Sequence, residues 1–278
     1  MIKKLLYFFT IKFGQIDKSE EIVSYNDVIG LEIILNGFYE KNHLDLLLKS
    51  FNKNILSGTY IDVGSNIGNH LLYFSKHFKK LVGFEPQKKT FQILDLNVNS
   101  KDNIEVHNFG LDKNSSDKTI NIPLNGSGGG TLLNHEKSTE TRTEKVQLRV
   151  YDELFDIKIS YIKIDTEGYE LNVIKSMYNS IIKHKPIISF ELNSSFIEDK
   201  KIIHTLQLLG YEKFYIPNYT LFKSKKGIVY KLIRIIINII RKEYRKLKEI
   251  SVNELLNGNK SYELITTYNK DSIYKLNV

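Results

Sequence analysis

An α/β fold with a mostly parallel sheet, covered by helices on both faces, is predicted from three observations. Strand-like and helix-like segments alternate from Lys53 to Pro217, the pattern of βαβ units. Four strand-like runs end at a carboxylate or one residue before it: Asp62, Glu85, Asp165 and Glu191. The stretch YIDVGSNIGNH, residues 60–70, crowds turn residues directly behind the first strand.

The elements follow in chain order. Ile22 to Leu35 reads as extended segments around Asn26-Asp27, and Leu44 to Phe51 as a helix. Together residues 1–56 form an N-terminal extension to a domain spanning 57–278. Thr59 to Val63 is a buried strand, and Asn66 to Phe78 has helical spacing through Ile67, Leu71, Leu72 and Phe74. Leu81 to Phe84 is the second strand, and Phe91, Leu94, Leu96 and Val98 mark a helix leading to Asn99. Ile104–Phe109 and Tyr161–Ile164 are the third and fourth strands, with a helix over Leu171–Ile182. Ile187–Phe190 is the fifth strand, Ile202–Leu209 a helix stopped by Gly210, and Tyr211–Ile216 the sixth strand. Residues 113–150 break the alternation. They are rich in Asn, Ser, Thr and Gly, include GSGGGT at 126–131, and read as a β-hairpin-like excursion whose glycines are either a loop over a substrate or a surface turn.

Residues 223–261 read as an insertion before a last strand, Tyr262–Thr267. In it a basic stripe, Lys231, Arg234, Arg241, Arg245 and Lys248, runs at helical spacing with Asn238. A basic amphipathic helix over 228–250 either lies on an anionic membrane or packs on its own protein with its charges in water.

Bulk properties narrow the function. The chain has 278 residues and a formal charge of +8, which suits an anionic partner without dictating a fold. It has no Cys, which excludes disulfides, thiolate nucleophiles and Cys-bound zinc, and nothing asks for an oxidising compartment. A cytoplasmic location is expected, with peripheral attachment to the inner face of the membrane as the role for 228–250. The start, MIKKLLYFFTIKFG, has an apolar core from Leu5 to Ile11 that Lys12 interrupts, with no A-x-A-like site after it. It reads as part of the fold or a weak surface anchor. No uninterrupted apolar run is long enough to span a bilayer.

GSNIG, residues 64–68, is neither G-x-G-x-x-G nor a P-loop. Glycines there let backbone come close to a ligand, and a following helix presents free N–H groups to a negative group. Glu85 falls 17 residues after Gly68, where nucleotide-type folds place an acid that accepts the ribose hydroxyls. A ribose site without a pyrophosphate cradle points to S-adenosylmethionine, its carboxylate on the loop N–H groups and its amino group near Asp62. The alternative is that Glu85 only caps the next helix.

IDVGSNIGNH, VGFEP at 82–86, YIKIDTEGYE at 161–170 and SFELN at 189–193 together resemble the FkbM family of S-adenosylmethionine-dependent methyltransferases. The resemblance spans roughly residues 55–217. It implies a Rossmann-like class I methyltransferase fold: a mostly parallel seven-stranded sheet whose final strand is antiparallel, here with the basic helix inserted before it. It implies cofactor contacts at Asp62, Gly64, Ser65, Asn66, Gly68, Glu85 and Pro86. Asn108 and Asp112, in the looser match HNFGLDK, would flank the adenine.

Transfer of a methyl group to a hydroxyl needs in-line positioning and a base. Asp165 and Glu191 end neighbouring strands and are the candidate bases, with Glu167 beside them. His70 is an alternative on a solvent-facing helix. Lys163 is unusual in a buried strand, and either pairs with Glu167 or Glu191 or reaches the substrate. Asp165, Glu167 and Glu191 could also hold a divalent cation through oxygen, but no tight ligand run supports one, and no metal site is assigned. The expected reaction is O-methylation of a sugar hydroxyl of a surface glycan or related natural product, the sugar being implied by the resemblance alone. The rivals are a nucleic-acid methyltransferase or binder, weakened by the lack of aromatics interleaved with basic residues; an NAD-dependent oxidoreductase; and a cofactor-binding module without activity. Acceptor identity and oligomeric state are not encoded in any motif.

Overall fold

The computed structural model describes residues 28–123, 141–193, 197–218, 246–257 and 261–267. Its strands are β1 (Thr59–Val63), β2 (Lys80–Phe84), β3 (Ile104–His107), β4 (Gly110–Leu111), β5 (Ser116–Pro123), β6 (Thr141–Arg149), β7 (Ile159–Ile164), β8 (Ile187–Asn193), β9 (Lys213–Asn218), β10 (Lys246–Ile250) and β11 (Ser261–Thr267). Eight of them form the main sheet, in the order β10-β9-β11-β8-β7-β1-β2-β3. The run from β8 to β3 is parallel, and β11 enters antiparallel between β8 and β9. The parallel α/β sheet, the covering helices and the antiparallel final strand are thus as expected. The pairing of β9 with β11 is the expected last hairpin.

Three expectations fail. The sheet has eight strands among the described residues rather than seven, because Lys246–Ile250 pairs antiparallel with β9 instead of ending the basic helix. Its pattern, KLKEI, alternates with period two as well as it fits a helical turn. The rest of the basic stripe, with GSGGGT and the chain start, lies outside the described residues. Val28–Asn36 is a helix, not extended chain. VIGLEIILN is nearly all apolar, so it carries no period to separate strand from buried helix. The helix expected over Leu171–Ile182 is broken at Met177 into Glu170–Ser176 and Tyr178–His184.

Of residues 113–150 the structure describes 113–123 and 141–150. β5 and β6 pair antiparallel from Ser116↔Leu148 to Pro123↔Thr141, and β4 joins β6 in a separate three-stranded sheet.

Period-two alternation in β1 and β7 sets up the site. Tyr60 and Asp62 point to one face, and Ile61 and Val63 to the other. Tyr60 pairs with Tyr161 and Asp62 with Lys163. On the first face Tyr60 stacks on Tyr161 at 5.0 Å between ring centroids, inside a cluster with Phe51, Phe74 and Phe78. On the second, Ile61, Val63, Ile162 and Ile164 pack with Val173, Ile174 and Met177. Truncating a ring such as Phe74 to Ala costs about 3–5 kcal/mol in such a core. The aromatic layer thus fixes the strands that carry Asp62 and Lys163 one residue before their ends.

Candidate active site

The loop after β1 is sewn to β2. The N–H groups of Gly64 and Ser65 both donate to the Phe84 carbonyl, at 3.0 Å each. Ser65 Oγ donates to the Asp62 carbonyl at 2.8 Å and accepts from the Phe84 N–H at 3.1 Å. Gly64 has φ +79°, and a Cβ on it would lie 1.9 Å from the Asp165 carbonyl oxygen. Gly68, at φ +87°, would place a Cβ 2.7 Å from Leu94 Cδ1. Both glycines are therefore demanded first by the chain's own packing. Asn66 takes a left-handed conformation, φ 50°, tolerable for Asn. The helix behind the loop is shorter than expected, Asn69–Phe74.

Glu85 stands one residue beyond β2, nearly buried. Its Oε2 accepts the Asn66 N–H at 3.0 Å and its Oε1 the Gln87 N–H at 2.9 Å. Each oxygen keeps a lone pair. Burial pushes Glu85 up to about 7, against the pull of those two hydrogen bonds. Asn108 Nδ2 donates to the Glu85 carbonyl at 2.9 Å and the Pro86 carbonyl at 3.2 Å. Asn108 thus holds the backbone that aims Glu85.

Asp62 is 1% exposed. Lys163 Nζ lies 3.5 Å from its Oδ1 and 3.1 Å from Asp165 Oδ2. Burial pushes Asp62 up to about 6, with Lys163 opposing. Burial acts to lower Lys163, but Asp165 and Asp62 outweigh it and hold the ammonium above its ordinary range. Lys163 is therefore charged, and its partners are Asp62 and Asp165 rather than the expected Glu167 or Glu191. Both oxygens of Asp62, Oδ1 of Asn66 and Nδ1 of His70 are buried without a hydrogen-bond partner among the described residues. His70 is partly buried, with its Nδ1 enclosed; burial, then the charge of Lys163, drives it well below its ordinary range, so the imidazole is neutral.

Asp165 is half exposed, at the mouth of this cluster, and its N–H donates to the Val63 carbonyl at 3.0 Å. Glu167 is exposed in the loop that follows, with φ 55°. Glu191 lies inside β8, also exposed. The pairing of Ile164 with Phe190 brings Asp165 and Glu191 to the same level of the sheet. The structure thus gathers Asp62, Gly64, Ser65, Asn66, Gly68, Glu85, Pro86 and Asp165 at one sheet edge. Asp112 does not open toward it. Its carboxylate takes the Lys113 N–H at 2.7 Å, Lys118 Nζ at 2.7 Å and the Tyr169 hydroxyl at 2.8 Å.

Sequence reasoning passed over two supports of the loop. Asn97 Nδ2 donates to the Ile67 carbonyl at 2.7 Å. Asn69 exchanges hydrogen bonds with the Tyr39 backbone at 2.9 and 3.0 Å, which seats the N-terminal extension against the site. An Asn inside a helix is the one signal such contacts leave. Among the described residues no group of three His, Cys, Asp or Glu is placed to hold a metal, and no helix is long and apolar enough to cross a membrane.

Two buried carboxylates beside a sharp strand-to-helix loop, at the carboxyl edge of a parallel sheet, mark the ligand side of an open, doubly wound α/β fold. Residues 62–213 match the Methyltransferase FkbM domain. That is more than half of the chain, and the chain belongs to the FkbM methyltransferase family. It is 33% identical over 125 residues to the hexuronic acid methyltransferase AglP of Haloferax volcanii, over 43% of this chain and 50% of that protein. It thus spans about half the length of this relative. Among solved structures it is similar to the FkbM methyltransferase of Methylobacillus flagellatus KT, at TM-score 0.41 and 21% identity, over 64% of this chain and 45% of that one. It is also similar to a SAM-dependent O-methyltransferase of Thermotoga maritima, at TM-score 0.43 and 10% identity, over 94% of this chain and 70% of that one.

Proposed function

We propose that this chain transfers a methyl group from S-adenosylmethionine to a hydroxyl of a sugar. The observation that carries the donor half is the set of buried acceptors at the loop, Asp62 Oδ1 and Oδ2 with Asn66 Oδ1, that make no well-formed hydrogen bond among the described residues, Asp62 having only the Lys163 ammonium at 3.5 Å and the Tyr60 hydroxyl near it. Buried acceptors so weakly satisfied are costly unless a ligand completes them. An α-ammonium group suits Asp62, and ribose hydroxyls suit the open lone pairs of Glu85. Asp62 and Lys163 with Asp165 make a cluster of two carboxylates and one ammonium, whose surplus negative charge favours a cationic ligand.

When bound, S-adenosylmethionine would supply the methyl group as a sulfonium electrophile, its carbon–sulfur bond breaking as the carbon–oxygen bond forms and S-adenosylhomocysteine leaving as a neutral thioether. The chain's residues position and deprotonate. Glu85, fixed by two backbone N–H groups and by Asn108 behind it, orients the ribose. Asp62 orients the amino-acid end. Asp165 at the mouth accepts the hydroxyl proton as the acceptor oxygen bonds to carbon, with Lys163 holding its carboxylate in place; Glu191, on the next strand, is the second candidate for that role.

The acceptor half rests on the relative named as a hexuronic acid methyltransferase. Incubation with labelled S-adenosylmethionine and a panel of uronic and neutral glycosides, with RNA and DNA as competing acceptors, tests it. Label in a sugar supports the reading; label in RNA or DNA instead replaces it. Docking of 228–245 on an anionic membrane near glycan assembly belongs to the same reading. Its test is co-sedimentation of the full chain with anionic vesicles, lost on replacing Lys231, Arg234, Arg241 and Arg245 with Ser.

A further inference from the structure

The loop from Asp165 to Tyr169 carries the candidate base, yet its outer end is fastened to a different sheet. Its inner end is closed by Glu170, whose Oε1 accepts the Thr166 N–H at 2.9 Å, Thr166 Oγ1 at 3.0 Å and the Gly168 N–H at 3.2 Å. Its outer end is Tyr169. That ring packs on the small core of the three-stranded sheet, made of Ile120, Ile122, Val146 and Leu148. Its hydroxyl donates to Asp112 Oδ2 at 2.8 Å. Lys118, on β5, donates to the same Oδ2 at 2.7 Å and to the Tyr169 hydroxyl, with its ammonium 5.1 Å from the ring centroid. Asp112 is 2% exposed, and its N–H donates to the Arg149 carbonyl of β6 at 3.0 Å. Asp112 therefore joins the loop to β5 through its carboxylate and to β6 through its backbone N–H.

We propose that Tyr169, through its hydroxyl bond to Asp112, is a positioning residue that couples the β5–β6 hairpin to the loop carrying Asp165. The loop needs such a hold. Glu167 sits at φ 55°, a conformation a long side chain occupies only when its surroundings impose it. The hydrogen bonds of Glu170 fix the loop from within, and the Asp165 N–H bond to the Val63 carbonyl fastens its start to β1. The Asp112–Lys118–Tyr169 cluster fastens its far end to the hairpin, so the loop that carries Asp165 is held from both sides. The coupling rests on the proposed methyl transfer only in its consequence for catalysis; the mechanical link is a property of the fold.

Hydrogen–deuterium exchange on the full chain decides it, with wild type, Tyr169→Phe, Asp112→Asn and the double variant. Tyr169→Phe keeps the ring on its apolar core and deletes only the hydroxyl. Peptides covering 165–170 should exchange about tenfold faster, the scale of one lost hydrogen bond to a charged group. Peptides covering 59–68 should exchange at the wild-type rate, and affinity for S-adenosylhomocysteine should hold within about twofold. The double variant should exchange no faster than the more affected single one, because both remove the same bond. If Asp112→Asn does not fold, Tyr169→Phe alone decides. Wild-type exchange of 165–170 in Tyr169→Phe would show that ring packing suffices, and would overturn the proposal. So would faster exchange spread through β1 and β2. Failure of the wild type to bind S-adenosylhomocysteine would sink the proposed function, and the exchange comparison would still stand.

Discussion

Replacing Asp62 with Asn should make the protein more stable and less able to bind its ligand. Burial raises the Asp62 carboxyl from 3.8 to about 6, after the attraction of Lys163 is counted. Ionised Asp62 therefore costs the folded state about 3 kcal/mol relative to its neutral form. Between pH 3.8 and about 6 the folded protein keeps a proton that the unfolded chain has released, so stability falls as pH rises through that window. Above it the cost is complete. Asn copies the neutral acid and leaves Lys163 paired with Asp165, 3.1 Å away. At pH 8 Asp62→Asn should gain about 1–3 kcal/mol, roughly 2–5 °C in Tm for a chain of this length. The gain should shrink as pH falls through 6 and vanish near 4. Affinity for S-adenosylhomocysteine should drop at least about tenfold, the scale of one hydrogen bond to a charged group. Thermal melts from pH 4 to 8, with calorimetric titration, read both. A variant less stable than wild type at pH 8 would refute the reasoning: it would make Asp62 a structural partner of Lys163 and not a carboxylate held in strain for a ligand.

Three further outcomes follow from the same geometry. Glu85, raised by burial to about 7, must be ionised to accept two ribose hydroxyls, so affinity for S-adenosylhomocysteine should fall about tenfold from pH 8 to pH 6 in calorimetric titrations. Gly64→Ala would drive a Cβ to 1.9 Å from the Asp165 carbonyl at a positive φ, and chemical denaturation should show a loss of about 3 kcal/mol or more. Asp165→Asn should keep cofactor affinity within about threefold and lower turnover at least about a hundredfold, the scale of a general base; full turnover would move the role to Glu191.

The parallel sheet was readable because each strand combines β-branched or aromatic residues with a turn or acid at its end. Thr59–Val63 was read to the residue. The positions of Asp62, Glu85 and Asp165 followed, since strand ends in such sheets share one edge. What stayed hidden depended on pairing. Lys163 meets Asp62 because β7 lies beside β1 in register, a fact no local pattern carries. The motif HNFGLDK puts Asp112 beside a nucleotide; only the packing of β5 and the Tyr169 loop shows that its oxygens are already taken. The sequences of Val28–Asn36 and Lys246–Ile250 fit either period, and tertiary context decides both.

The decisive measurement is calorimetric titration of the full chain with S-adenosylhomocysteine, with NAD as control, in wild type and Glu85→Ala. The wild type should bind S-adenosylhomocysteine and not NAD. Glu85→Ala should weaken binding by about thirtyfold or more, since two hydrogen bonds to a charged carboxylate are lost. NAD binding, or S-adenosylhomocysteine binding that is absent or indifferent to Glu85, would contradict the assignment of this loop to a methyl donor.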